Sequence, residues 1–416
     1  MKAVILAAGK GTRLSPLTDN RPKHLLPVGG RPLLEWSIKG LANIGVNEIL
    51  IVTNYMEDMI RDYFRDGSKY GLKISYLKQE FIAGTADAFR VAESFTESED
   101  FIGIYGDLYI SNTNFRKIIA NYKKSQTTMA IIKVENPSQM GIVQLKGNKI
   151  INIVEKPAPG TEPSRLANAG LYIFSNDIYK FIKKTPLSSR NELEITDSLK
   201  LMIDSGKPIY AVEIENKGWR DIGRPWDFLE INEAILENLE TNIEGIVEEG
   251  AYLHGRIRIE EGTKIRAGAY IEGPVYIASG CDIGPNCYIR PATYLGKNVR
   301  VGNACEVKNS IIMDGTHIAH LSYIGDSIIG ENCNFGAGTI TANIRFDKRN
   351  IKIMVKDLKV DSGRRKIGVI TGDNIQTGIN VNFIPGVKIG SNAWISPGLT
   401  IYDDVKSEEF IKAPRK

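Results

Sequence analysis

The sequence has no apolar run near the roughly 20 residues that cross a bilayer, and its opening stretch at residues 3–8 is too short and poorly flanked for a signal peptide. A membrane partner is therefore excluded and a cytoplasmic protein expected. Histidine and cysteine are scarce, four of each in 416 residues, and no cysteine pair has C-x-x-C spacing. That argues against a zinc centre or a disulfide scaffold, and no carboxylate or thiol cluster joins His317 to His320 as a metal pair. Excess charge is also missing, since 53 Lys and Arg face 49 Asp and Glu. The near balance hides one uneven stretch. Nine Lys or Arg and only three Asp lie between Arg345 and Lys366, which reads as a solvated face or an anion site. Nucleic acid is not the expected partner there, because no interleaved aromatics or reading module accompany the charge.

What is present is soluble globular composition, 25% charged and 42% apolar, in a chain too long for one ordinary core. Two halves with different periods follow. Up to about residue 230, short apolar strands alternate with helical stretches: "EILIVT" (48–53), "KISYL" (73–77), "FIGIYG" (101–106) and "MAIIKV" (129–134). In "RPLLEWSIKGLANIG", Pro32 stands at a helix start, with Leu33, Leu34, Ile38 and Leu41 on one face. This is an α/β pattern with a mostly parallel sheet, whose ligands bind beyond the carboxyl ends of the strands.

From Ile259 every sixth residue is aliphatic for nine consecutive positions, ending at Val307. The register slips near Ile312 and again near Ile329, and it returns at Phe383. Six-residue spacing of inward aliphatics predicts a parallel β-helix. Cys281, Cys287, Cys305 and Cys333 each follow a repeat aliphatic by four residues, so they are expected as small inward side chains. The basic segment is expected to interrupt the rungs between Phe335 and about Ile375. Between the halves, "WDFLEINEAILENLE" (226–240) reads as a linker helix. The resulting division is 1–228, a linker at 229–242, and 243–416.

The opening "MKAVILAAGKGTRLSP" breaks from a strand into a glycine-rich basic loop. It lacks the Gly-Lys-Ser/Thr ending of a P-loop and the third glycine of a dinucleotide fingerprint. Phosphate binding and an ordinary strand-to-helix turn both remain open readings. The longer stretch "LAAGKGTRLSPLTDNRPKHLLPVGGRPLLE" resembles the start of the sugar-1-phosphate nucleotidyltransferases. "GTADA" (84–88), "YGD" ending at Asp107, "MGIV" (140–143), "VEKP" (154–157), "NAGLY" (168–172) and "WRDIGRPWD" (219–227) follow in family order. The resemblance implies a Rossmann-like domain with a mixed sheet that transfers a nucleotidyl group from UTP or dTTP and releases pyrophosphate. It implies nucleotide contacts from Ala8, Gly9, Gly11, Gln79 and Gly84, catalytic cations Arg13 and Lys23, and Mg²⁺ on Asp107 and Asp221. The sugar phosphate would meet Gly141, Glu155, Lys156 and Asn168. Gln79 can offer an amide donor and acceptor to a pyrimidine edge. The methyl group that separates uracil from thymine is worth only about 1–3 kcal/mol in a pocket, so the base stays open.

"HIAHLSYIGDSIIGENCNFGAGTITAN" (317–343) resembles the acetyltransferase domain of the bacterial bifunctional enzymes that make UDP-N-acetylglucosamine, and the whole chain is similar to their archaeal relatives. The resemblance implies a left-handed parallel β-helix of hexapeptide repeats, assembled as a homotrimer. It also implies acetyl-CoA as cosubstrate, with glucosamine 1-phosphate as acceptor and galactosamine 1-phosphate as the alternative. His320 would be the base, Tyr323 and Asn334 would face the amino sugar, and Arg290 and Lys308 its phosphate. Ala337, Asn343 and Lys348 would meet CoA. After Asn343 the chain departs from the bacterial pattern, so correspondence is lost in the basic segment. The competing reading is a nucleotidyltransferase whose β-helix only oligomerises or regulates it.

Overall fold

A computed structural model describes residues 1–413 as two compact units: Met1–Lys10 with Leu33–Asp221, and Gly11–Pro32 with the described residues from Ile222 onward. Among the described residues no helix is long and apolar enough to cross a membrane.

The first unit is built on a nine-stranded mixed sheet. Its strands are β1 (Lys2–Ala7), β2 (Glu48–Thr53), β3 (Lys73–Lys78), β4 (Phe101–Tyr105), β5 (Thr127–Lys133), β6 (Gly141–Lys146), β7 (Lys149–Glu155), β8 (Leu166–Phe174) and β9 (Ile209–Glu213). The order is β3-β2-β1-β4-β8-β5-β9-β7-β6. The parallel character expected from sequence holds from β3 to β4 and for β5 beside β9, whereas β8, β7 and β6 join antiparallel. The helix Leu33–Asn43 buries Leu33, Leu34, Ile38 and Leu41 completely, as its spacing requires. One core cluster runs from Val4 and Leu50 through Phe89, Phe101, Tyr172 and Phe174 to Leu199.

The second unit is a parallel β-helix of three sheets with eight, nine and eight strands. One column of inward residues runs Ile259, Ile277, Leu295, Ile312, Ile329, all fully buried. The slips in the sequence repeat are coils one residue shorter, where Leu295 pairs with Ile312 rather than with a residue 18 positions on. Corners require left-handed backbone: Gly280 (φ 72°) and Asn298 (φ 56°) stack there. A Cβ on Gly280 would lie 2.3 Å from Asn298 Oδ1, so only glycine fits beneath that asparagine. The four cysteines are free and line the coil interior, where burial pushes the thiols of Cys281, Cys287 and Cys333 up to about 12.

The coil does not stop at Phe335. Ile340–Thr341 pairs with Tyr323 on one side and with Asn382 and Phe383 on the other. The expected interruption is thus narrower and begins after Thr341. Thr341, Thr371 and Thr377 occupy the inward positions, and their hydroxyls accept from the N–H groups of Gly325, Gly330 and Gly336 at 2.9–3.1 Å. A search for aliphatics passes over these rungs because their inward residue is polar yet hydrogen-bonded.

Segment Gly11–Pro32 belongs to this second unit by its contacts. Arg21, 6% exposed, places Nη2 2.8 Å from Asp373 Oδ2 and 3.0 Å from Glu331 Oε2, and Asn20 also donates to Asp373. Burial pushes the Glu331 carboxyl up against the pull of Arg21. The helix Pro225–Leu236 adds Asn232, whose Oδ1 accepts from Gly29 N–H at 3.0 Å while Nδ2 donates to Ala292 O at 2.9 Å. Removing one partner of a buried ion pair leaves a desolvated charge. Asp373→Ala is therefore expected to cost about 3 kcal/mol, read as a lower denaturation midpoint. A loss under about 0.5 kcal/mol would make the contact no stronger than a surface pair.

Candidate active sites

In the first unit, the ends of β1 and β4 build one edge. Leu6 pairs with Tyr105, and Gly106 N–H extends the ladder to Leu6 O at 2.8 Å. Ala8, Gly9 and Asp107 therefore leave the sheet side by side. The short strand Leu108–Ile110 then pairs antiparallel with Trp219–Asp221, with Leu108 opposite Asp221. Two carboxylates 114 positions apart in sequence are brought near each other, Asp221 on its strand and Asp107 in the turn just before the strand that pairs with it. They are hard oxygen donors suited to Mg²⁺, and no cluster of three or more His, Cys, Asp or Glu accompanies them among the described residues. Such a pair leaves most of an octahedral shell to phosphate oxygens and water, which is how Mg²⁺ is commonly held.

Gln79 and Gly84, the residues expected at the nucleobase, lie against each other. Gln79 is 2% exposed, and its Nε2 donates to Asp87 Oδ2 at 2.9 Å and to Gly84 O at 3.2 Å. Its donors face the protein. Gly84 (φ 111°) is needed because a Cβ would lie 2.5 Å from Leu193 O, so the close approach is to backbone. Asp87, held in turn by Arg90 at 2.6 Å, went unassigned although it lies inside "GTADA".

The proposed sugar residues do converge. Gly141 pairs with Glu155, and a Cβ on Gly141 would lie 2.9 Å from Glu155 Oε2 and 3.7 Å from Asn168 Cβ. Asn168 is oriented by Tyr172, to whose hydroxyl it donates at 2.5 Å, while Gly170 N–H donates to its Oδ1 at 3.0 Å. Beside them lies a cavity of about 560 Å³ lined by Glu155, Lys156, Arg190, Glu194, Asp197 and Lys200 among others. Arg190 bridges Glu155 and Glu194 at 3.2 and 2.6 Å. Burial and then the charge of Glu194 hold the Glu155 carboxyl above its usual range, and Lys156 and Arg190 act against that. Sequence reasoning missed Arg190 and Glu194. Their signal was the charged run from residue 190 to 197, ahead of the helix Ile195–Asp204.

In the second unit, Arg13 is exposed and its guanidinium lies against Gly223, where a Cβ would fall 3.2 Å from Nη2. Lys23 is half-buried next to Gly11 (φ 67°), a Cβ on which would meet Lys23 Cβ at 3.2 Å.

On the coil, one sheet stacks Arg290, Lys308 and Tyr323 on consecutive rungs. Their organiser is Asp326, 2% exposed and absent from the sequence-derived set. Lys308 Nζ stands 3.3 Å from Asp326 Oδ2, Asn343 Nδ2 2.5 Å from the same oxygen, and Asn309 Nδ2 2.8 Å from Oδ1. Asn343 also donates to the Tyr323 hydroxyl at 3.0 Å. Arg290 bonds Glu306 at 2.8 Å. His320 ends its strand, exposed, opposite Asn303, and its carbonyl accepts from Gly338 N–H at 3.3 Å. Asn334 lies opposite His317, three residues before His320. Ala337 is half-buried on the same turn, and Lys348 lies exposed beyond the coil.

Residues 2–238 match the nucleotidyl transferase family, and residues 271–383 match a family described as the GMPPB C-terminal domain. The bifunctional protein GlmU of Methanocaldococcus jannaschii is 44% identical, covering 99% of this chain and 97% of that one. The bifunctional sugar-1-phosphate nucleotidylyltransferase/acetyltransferase of Sulfurisphaera tokodaii is 42% identical over 99% of this chain and all of its own length. A crystal structure of a UDP-glucose pyrophosphorylase complexed with UDP-glucose aligns over 57% of this chain at a TM-score of 0.52 and 28% identity.

The geometry at Glu155 has a testable stability sign. A carboxyl held above its unfolded value loses stability as pH rises through its folded value. Glu155→Gln is expected to melt above the parent at pH 8, with the gap closing below the usual carboxylate range. It should also lower nucleotidyl transfer at least tenfold in kcat/KM for the sugar phosphate, about the worth of one charged hydrogen bond.

Proposed function

The chain belongs to the nucleotidyl transferase family and, over nearly its whole length, to the bifunctional sugar-1-phosphate nucleotidylyltransferase/acetyltransferases, and from that premise we propose its substrates and the roles of its residues. The acetyl acceptor is glucosamine 1-phosphate, with galactosamine 1-phosphate as a second acceptor, and the donor is acetyl-CoA. The nucleotidyl donor is UTP or dTTP. The active form is a homotrimer.

In nucleotidyl transfer a sugar phosphate oxygen attacks the α-phosphorus in line and pyrophosphate leaves, so catalysis is mainly positioning and charge neutralisation. Backbone N–H groups of Ala8, Gly9 and Gly11 approach the phosphates, Arg13 grips the pyrophosphate portion, and Lys23 meets the phosphates near the attack. Mg²⁺ held by Asp107 and Asp221 would supply neutralisation of the α-phosphate and leaving group. Glu155 accepts from sugar hydroxyls, Asn168 donates beside it, Gly141 allows their approach, and Lys156 meets the sugar phosphate. Gln79 meets a pyrimidine edge with its amide, and Gly84 allows the close approach.

In acetyl transfer His320 removes a proton from the amine as its nitrogen attacks the thioester carbonyl, and the CoA thiolate leaves. Tyr323 and Asn334 face the amino sugar. Arg290 and Lys308 take its phosphate, and Ala337 and Lys348 meet CoA. Asn343 meets CoA with them, held in place by its bonds to Tyr323 and Asp326. The observation that favours two active sites over a scaffold is the buried Asp326 with Lys308, Asn309 and Asn343. Oligomerisation alone gives no reason to desolvate a carboxylate and arrange three polar side chains around it.

Two assays test the reading. Thiol release from acetyl-CoA should require an amino-sugar 1-phosphate and fall about 10²- to 10⁴-fold in His320→Ala. Pyrophosphate release should require Mg²⁺ and vanish in Asp107→Asn. Pyrophosphate without thiol release, with both amino sugars tried, would reduce the coil to a scaffold.

A further inference from the structure

The loop from Gly11 to Pro32 carries Arg13 and Lys23, and it is tied to the coil by charge. Arg21 and Asn20 both reach Asp373, and Arg21 also reaches Glu331. These two carboxylates stand just past the strands Ile328–Ile329 and Ile370–Thr371, which pair as successive rungs. Asp373 is held in turn from its own side: its Oδ1 accepts from Glu331 N–H at 2.8 Å, and its N–H donates to Ser391 Oγ at 3.1 Å. A second tie lies two residues before Arg21, where the Asp19 carboxylate accepts from Ser407 Oγ at 3.1 Å and from Ser15 Oγ at 2.9 Å.

Only Pro22 separates Arg21 from Lys23, and its ring holds φ at −69°. Wherever Arg21 is fixed, Lys23 follows with one backbone torsion fewer to wander. Lys23 opens the single turn Lys23–Leu25 and packs on Gly11, a Cβ on which would lie 3.2 Å from Lys23 Cβ and 3.2 Å from Thr18 Cγ2. Thr18 Oγ1 donates to Gly11 O at 3.1 Å, and the same carbonyl accepts from Leu14 N–H at 2.8 Å, closing the turn that carries Arg13. Gly11, Thr18 and Lys23 are thus one knot, with both cations at its edges. Every residue from Asp373 to Lys23 in this chain of contacts belongs to the second unit. A staple needed only for the fold is made more cheaply by apolar packing, because an arginine buried against two carboxylates carries a desolvation cost. What a charged pair adds is direction.

We propose that Arg21 is a positioning residue for nucleotidyl transfer, and that Asp373 and Glu331 of the coil hold, through it, the loop that presents Arg13 and Lys23 to the phosphates. The proposal rests on the phosphate roles given above to Arg13 and Lys23. It assigns two coil residues to a reaction whose family match ends at residue 238, well before either of them. A displacement of about 1 Å in a group that positions substrate can cost about 10²-fold in rate. A loosened loop therefore shows in nucleotide binding and turnover while the coil itself keeps its rungs.

The test uses the full-length enzyme with Asp373→Asn, Glu331→Gln and Arg21→Ala, Arg21→Lys as the charge-keeping variant, and Lys23→Ala as a control. Pyrophosphate and thiol release are followed on the same preparations, below the onset of melting of every variant. The first three variants should raise KM for the nucleoside triphosphate about tenfold and lower kcat of pyrophosphate release by about as much, with thiol release within about twofold of the parent. Arg21→Lys should recover part of the loss in KM. Hydrogen exchange should quicken at the Leu14, Leu17 and Leu25 amides, which close turns in the loop, and stay unchanged at Ile328 and Ile370 in the coil. A pair that merely supports the fold would lower both reactions together and leave KM where it was, and that result overturns the proposal. So do parent-like KM and exchange in these variants while Lys23→Ala loses pyrophosphate release, in which case the nucleotidyl reading stands alone. Absence of pyrophosphate release from the parent with every nucleotide defeats that reading and the proposal with it.

Discussion

Each rung of the coil hydrogen-bonds only to the rungs before and after it, and that constraint governs the second unit. A short strand survives there because its inward residue joins a continuous column and its backbone groups find partners one turn away. Ile259, Ile277, Leu295, Ile312 and Ile329 form such a column. Side chains on the solvent-facing parts of the coil are then free of packing duty, and they stack in straight files. Chemistry can be written across such files, as it is where Lys308 lies opposite Gly325 and Tyr323 opposite Glu306 on consecutive rungs of one sheet.

The two clusters read as active sites share one physical solution. Each holds a carboxylate partly or wholly out of water and controls it with neighbouring groups. Glu155 is flanked by Arg190 and raised by burial, while Asp326 is surrounded by Lys308, Asn309 and Asn343. Desolvating a carboxylate is costly, so its donors are fixed in number and direction, and that rigidity is what positions a sugar. The Asn168–Tyr172–Tyr105 chain of hydroxyl and amide contacts serves the first cluster in the same way.

The sequence made some parts legible and others not, for identifiable reasons. Periodicity in Leu33, Leu34, Ile38 and Leu41 gave the helix, and sixfold spacing gave the coil, because apolar burial is written in residue type. Thr341, Thr371 and Thr377 escaped because a threonine hydroxyl bonded to glycine N–H fills the same inward position. Motif order pointed to Glu155 and Asn168, and the structure brings them to Gly141. It did not reveal partners: Asp87 behind Gln79, Arg190 beside Glu155, and Asp326 beneath Lys308 are pairings made by chain topology. The resemblance implied a mixed sheet, but the pattern did not show which strands run antiparallel, since "MGIV", "VEKP" and "NAGLY" are too short to declare strand direction.

The skip in the ladder has an evolutionary reading. Ile328 pairs with Ile370, Asn334 with Gln376 and Ile340 with Asn382, each across 42 positions, where neighbouring coils use 17 or 18. The rungs close over the excursion without loss of register. A corner of this kind accepts extra chain for little more than the entropy of closing a loop, which grows only slowly with length. Outgrowths at such corners can therefore be lengthened, exchanged or lost between lineages while the scaffold stays unchanged, which makes the corner a grafting point for new specificity.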